Sequence, residues 1–141
     1  MTAFVLDNSV AIRWLLSSNR LTDQSYAEAV LESLTGAEAI VPNLWHLEAA
    51  NVLLGAAARK EIEVAEAERF TVQLEKLPIM VDTSTANQAF SHTMSLARAY
   101  KLSSYDAAYL ELALREGIAI ATLDSALAKA AVKAGIDIYL K

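Results

Sequence analysis

Short apolar runs alternating with longer helical patterns predict an α/β fold, a three-layer α/β/α sandwich around a central parallel sheet of four or five strands. Two further observations point the same way. The runs "AFVL" (3–6) and "IAIATLD" (118–124) are apolar almost without interruption, as strands covered on both faces are. The chain has 141 residues, the size of a single domain (1–141), enough to bury roughly 68–70% of its unfolded surface.

Each element has its own warrant. "AFVL" reads as a strand and "NSVAIRWLLSS" (8–18) as the helix after it. "TDQSYAEAVLESL" (22–34) carries Tyr26, Val30 and Leu34 at four-residue spacing, the mark of an amphipathic helix. "AIV" (39–41) is a short strand closed by Pro42. "NLWHLEAANVLLGAAARK" (43–60) is a helix apolar nearly all round, and it forms an antiparallel pair with the more polar "EVAEAERFTVQLEKL" (63–77). "PIMVD" (78–82) is a strand, and "TSTANQAFSHTMSLARAY" (83–100) a continuous helix with Ser or Thr available as its cap. "SSYDAAYLELALREG" (103–117) is a helix stopped by glycine. "IAIATLD" is a buried strand, "SALAKAAVKAG" (125–135) a second glycine-stopped helix, and "IDIYL" (136–140) the last strand.

Composition narrows the chemistry. Hydrophobic residues make up 55% of the chain, above the usual ~45–50%, and the extra apolar surface favours a homo-oligomer. There is no cysteine, which excludes disulfides and thiolate metal sites. The two histidines, His46 and His92, are far apart, and "WHLEAAN" lacks the second histidine of a zinc-binding H-E-x-x-H. Any metal site is therefore oxygen-rich and suited to Mg²⁺ or Mn²⁺. "MTAFVLD" has no basic, apolar leader and no long apolar run comes after it, so a cytoplasmic location without membrane contact is expected. The net charge of −5 argues against nucleic acid only if the acids are not holding cations.

In open parallel sheets, sites form beyond the carboxyl ends of the strands, where strand order reverses. Asp7 follows the first strand and Asp124 the strand "IAIAT". Asp106 lies in the first turn of the helix that begins "SSYD", and Glu48 in the first turns of the helix after Pro42. Topology thus brings four carboxylates to one rim. Each of the three aspartates also has a purely structural reading as a helix cap or capping-box partner. Glu48, set among Leu44, Trp45, Leu47 and Leu53, is harder to explain that way, because a buried unpaired carboxylate is costly. Carboxylates held together repel; a divalent ion reverses that preference, binds a phosphate oxygen and lowers the pKa of bound water. The implied reaction is metal-assisted phosphodiester hydrolysis. Tyr105 and Tyr109 flank Asp106, with core packing weighed against stacking on a base.

"FVLDNSVAIRWLL", "VPNLWHLEAANVLL" and "LSSYDAAYLELALREGIAIATLD" resemble the PIN domain family, in particular the VapC-type toxin ribonucleases of toxin–antitoxin pairs. The resemblance spans nearly the whole chain. It implies a PIN-like sandwich, usually homodimeric, and a Mg²⁺-dependent endoribonuclease in which Mn²⁺ can substitute, leaving 5′-phosphate and 3′-hydroxyl products. It also implies a cognate antitoxin protein as partner, which would lay an apolar segment across a groove and block the acids. By the same resemblance Asp7, Glu48, Asp106 and Asp124 form the catalytic, metal-binding set. Asp7 and Asp106 would be direct ligands, and Glu48 and Asp124 would hold bound water or a second ion. Ser9 is expected near the attacking water or a phosphate, Thr122 just before the last acid, and Asn51, one turn from Glu48, as support for that carboxylate.

Two rivals are weaker. A haloacid-dehalogenase-like phosphatase needs a second Asp two positions after the first, where this chain has Ser9. A non-catalytic PIN-type module that binds RNA or protein has no use for the intact acid set. Glycine-rich phosphate loops are absent.

Overall fold

The chain's structure, a computed structural model, describes residues 2–141; Met1, the first residue of the predicted domain, lies outside the described residues. Four strands form: β1 (Thr2–Leu6), β2 (Ala37–Val41), β3 (Ile79–Val81) and β4 (Ala119–Ala121). Their order across the sheet is β3-β2-β1-β4, and every pairing is parallel. The chain steps outward from β1 to β3 and then crosses back to place β4 on the other side of β1. The reversal of order therefore falls between β1 and β4, where such sheets open a crevice at their carboxyl ends. The register pairs Leu6 with Ala121, and the Asp7 N–H continues the ladder to the Ala121 carbonyl at 3.0 Å.

Helices cover both faces, as the predicted sandwich requires: α1 (Asn8–Ala11), α2 (Leu21–Ser33), α3 (Trp45–Ala58), α4 (Val64–Glu75), α5 (Thr85–Gln88), α6 (Met94–Tyr100), α7 (Ser104–Glu116) and α8 (Ser125–Lys133). The core runs through Phe4, Val5 and Leu6 of β1, Val30 of α2, Trp45 of α3, Leu110 and Leu112 of α7 and Ile120 of β4. Among the described residues no helix is long and apolar enough to cross a membrane.

Three expectations are corrected. The helix over 8–18 stops at Ala11 and continues as a 3₁₀ turn, Ile12–Trp14. Side-chain bonds to α2 hold that turn in place: Gln24 donates to the Arg13 carbonyl, and the Trp14 indole donates to the Ala27 carbonyl. The helix over 83–100 contains a π-helical turn, Ala89–Thr93, between α5 and α6. That turn leaves Phe90 91% exposed and Thr93 buried. The apolar helix 43–60 buries Trp45, Ala49, Leu53 and Ala56 and leaves Leu47 and Leu54 exposed, in keeping with its apolar composition all round. The final strand over 136–140 shrinks to a single parallel bridge between Ile120 and Ile138, because Leu140 takes a left-handed φ of 61° and turns the chain away.

Candidate active site

Asp7 ends β1 in extended backbone (φ −83°, ψ 146°) at the crevice, and it is buried. It does not cap α1 through its side chain. Instead its Oδ2 accepts from Ser9 Oγ at 2.6 Å and from Thr122 Oγ1 at 2.7 Å. Both hydroxyls are themselves oriented by backbone donors: the Leu123 N–H donates to Ser9 Oγ at 2.8 Å and the Asp124 N–H to Thr122 Oγ1 at 3.0 Å. Ser9 thus commits its proton to Asp7, so its expected contact with water or phosphate becomes a positioning contact with the carboxylate.

Glu48 stands in the first turn of α3 and is half-buried. The Tyr109 hydroxyl, from the middle of α7, donates to Glu48 Oε1 at 2.5 Å. Asn8 Nδ2 donates to the Trp45 carbonyl at 3.0 Å and lies 3.5 Å from the Tyr109 hydroxyl. Asn51, expected to support Glu48, is exposed, and the hydrogen bond comes from Tyr109 instead. Tyr109 is fully buried, whereas Tyr105 is 63% exposed. Tyr109 was not among the expected site residues; the signal that could have found it is its spacing, three residues after Asp106 on the same helix face.

Asp106 and Asp124 sit at helix starts. Ser103 caps α7 by accepting from the Asp106 N–H at 3.1 Å. Asp124 caps α8 itself, its Oδ1 accepting from the Leu127 N–H at 3.1 Å. The capping reading of Asp124 is therefore correct, and its carboxylate still acts on its neighbours. Helix N-termini carry partial positive charge, which favours an acid at either position.

Like charges act on two of the four acids. Burial pushes the Asp7 carboxyl above the usual carboxylate range; the Ser9 and Thr122 hydroxyls oppose that, and the charges of Glu48 and Asp124 add to it. Asp106 is also raised, first by burial and then by the charges of Asp124 and Asp7. Among the described residues none of the four carries an ion pair. The arginine that does pair with buried acids, Arg115, binds Asp82 and Glu111, and both were missed in the sequence. A nearby cavity of about 440 Å³, lined by Gln88, His92, Leu96, Leu114 and Arg115, includes none of the four acids.

As the side chains stand, no three His, Cys, Asp or Glu residues among those described are grouped to hold an ion. Three of the carboxyl groups face donors of their own: two hydroxyls for Asp7, a phenol for Glu48 and a backbone N–H for Asp124. The chemistry of the set nevertheless fits a hard divalent cation, since every donor is oxygen and the negative charge is uncompensated.

A parallel sheet with helices on both faces, and acids at the switch point between β1 and β4, defines an α/β protein with a polar, oxygen-rich site at its carboxyl rim. The chain belongs to the PIN domain family, whose model matches residues 4–133. PIN domains are generally nuclease modules and typically metal-dependent. A structure similar to this chain is the crystal structure of PAE2754 from Pyrobaculum aerophilum, at 18% identity and a TM-score of 0.66, covering 92% of this chain and 79% of that one. That likeness speaks to the fold. No curated protein matches the chain in sequence.

Proposed function

We propose that the protein is a Mg²⁺-dependent endoribonuclease of the cytoplasm that hydrolyses RNA phosphodiester bonds, with Mn²⁺ able to substitute. The observation that carries this reading is that Asp7 feels the charges of Glu48 and Asp124, and Asp106 those of Asp124 and Asp7, with no ion pair on any of the four among the described residues. Asp7 and Asp106 would hold the ion directly, with Glu48 and Asp124 holding water around it or a second ion. When bound, such a cation polarises a phosphate oxygen and makes water a better nucleophile at neutral pH. The chain's own contribution is orientation. Ser9 and Thr122 both donate to one oxygen of Asp7, Oδ2, and fix its carboxylate. Asp106 lies in the first turn of α7, and Asp124 is the N-cap of α8.

The proposal extends to a VapC-type toxin paired with an antitoxin. A groove of about 290 Å³ between α3 and α4, lined by Leu53, Leu54, Ala57, Val64 and Ala67, supports this, because it offers an apolar segment a seat on the helix that carries Glu48. A homodimer is the expected assembly, and the exposed Phe90 supports an apolar contact with a second copy. The rival reading, a non-catalytic binding module, is not better supported.

The test is cleavage mapping of total RNA by the wild type and Asp7→Asn, with Mg²⁺, Mn²⁺ or chelator. Cutting by the wild type with metal, lost on mutation and on chelation, is the expected result. Cutting that survives both overturns the reading. Co-expression with the neighbouring open reading frame and light scattering of the purified chain test the partner and the dimer.

A further inference from the structure

The Glu48 carboxylate, on α3, is held by a side chain from α7. Tyr109 reaches it from α7 at 2.5 Å, and the Tyr109 ring is fully buried, so the hydroxyl has a fixed position. Asn8, at the start of α1, lies against the same hydroxyl at 3.5 Å and is anchored to the Trp45 carbonyl at 3.0 Å. Three segments of the chain thereby meet at one phenolic oxygen. Tyr109 also lies one turn from Asp106 on α7, so the bond ties the helix of one acid to the side chain of another.

Resting on the proposed cation site, we propose that Tyr109 is the positioning residue of Glu48: its hydroxyl occupies Oε1, so that Oε2 alone is turned toward the ion. A glutamate on a helix surface loses rotamer freedom when it is fixed, which opposes cation binding. A buried phenol that has already fixed the carboxylate removes that cost before the ion arrives. Groups that orient ligands in this way typically change metal affinity by about 10–100-fold when removed.

The experiment is a calorimetric titration with Mn²⁺ alone, without RNA, on the full chain carrying Tyr109→Phe, Glu48→Ala, both changes, or Asp7→Asn. Tyr109→Phe is expected to weaken Mn²⁺ binding by about 10–100-fold in the otherwise wild-type chain. In the Glu48→Ala background, which removes the acceptor, it should change binding by less than about twofold, since the pair then no longer interacts. Equal losses in the two backgrounds overturn the proposal. So does unchanged or tighter binding by Tyr109→Phe while Asp7→Asn loses the ion, an outcome that leaves the cation site itself intact. If Asp7→Asn binds Mn²⁺ as tightly as the wild type, the cation site fails and the proposal fails with it. Should Tyr109→Phe not fold, Asn8→Ala serves in its place: weaker Mn²⁺ binding supports the proposal and wild-type binding overturns it.

Discussion

Replacing Thr122 by Val keeps the shape of a buried side chain and deletes its hydroxyl. Two hydrogen bonds go with it: the donor to Asp7 Oδ2 at 2.7 Å and the acceptor for the Asp124 N–H at 3.0 Å. The first is charge-assisted and contributes about 1.5–3 kcal/mol; the second leaves a partly buried N–H unpaired at a cost of about 1 kcal/mol. The expected loss is about 3 kcal/mol at neutral pH, a large part of the ~5–15 kcal/mol that holds a domain of this kind. The loss depends on pH. Burial holds the folded Asp7 pKa above its unfolded value of about 4. The stability linked to that shift is fully present below the unfolded value and fades as pH rises through the folded one. Removing one of the two hydroxyls that oppose the shift raises the folded pKa further, so the penalty of Thr122→Val grows with pH. Urea denaturation in chelator at pH 5 and pH 8 measures both values, with Thr122→Ser as the control that keeps the hydroxyl. A penalty that is the same at both pH values, or below about 0.5 kcal/mol, refutes the role given to this hydroxyl.

The same geometry sets other outcomes. Arg115→Met leaves the largely buried Asp82 and Glu111 carboxylates without their cation and should cost about 3 kcal/mol by denaturant titration. The Arg115 bonds hold Asp82 below the usual carboxylate range; its stability is present above the unfolded pKa and lost as pH falls through the folded one, so this penalty shrinks in acid. Mn²⁺ at about 100 times its Kd should stabilise the wild type by about 2.7 kcal/mol in thermal melts and leave Asp7→Asn unmoved. Leu110→Ala empties a fully buried position on α7 and should cost about 2–5 kcal/mol in the same titrations. Gly117→Ala places a Cβ on the left-handed residue that ends α7, at φ 66°, and should cost about 1 kcal/mol although nothing crowds that atom.

The layers and the parallel sheet were legible because they rest on local signals: continuous apolar runs, helical spacing and glycine stops. The misjudged elements were those decided by contacts distant in sequence. The helix after Asp7 is cut short where Gln24 takes the Arg13 carbonyl and the Ala27 carbonyl takes the Trp14 indole N–H. The π-helical turn at Ala89–Thr93 keeps a helical composition and leaves no trace in the spacing. "IDIYL" has the residues of a strand, but one left-handed residue at its end leaves it a single bridge.

Within the site, sequence alone determined which acids could meet, since placing a carboxylate at the carboxyl end of a parallel strand requires only the order of elements. Tertiary structure decided what each acid touches. Ser9 and Thr122 share one oxygen of Asp7 only because the β1–β4 register sets the two strand ends side by side, and Glu48 takes its donor from Tyr109 across α7 rather than from Asn51 on its own helix. Such pairings join residues far apart in the chain, and local pattern carries no information about them; packing of the layers selects them.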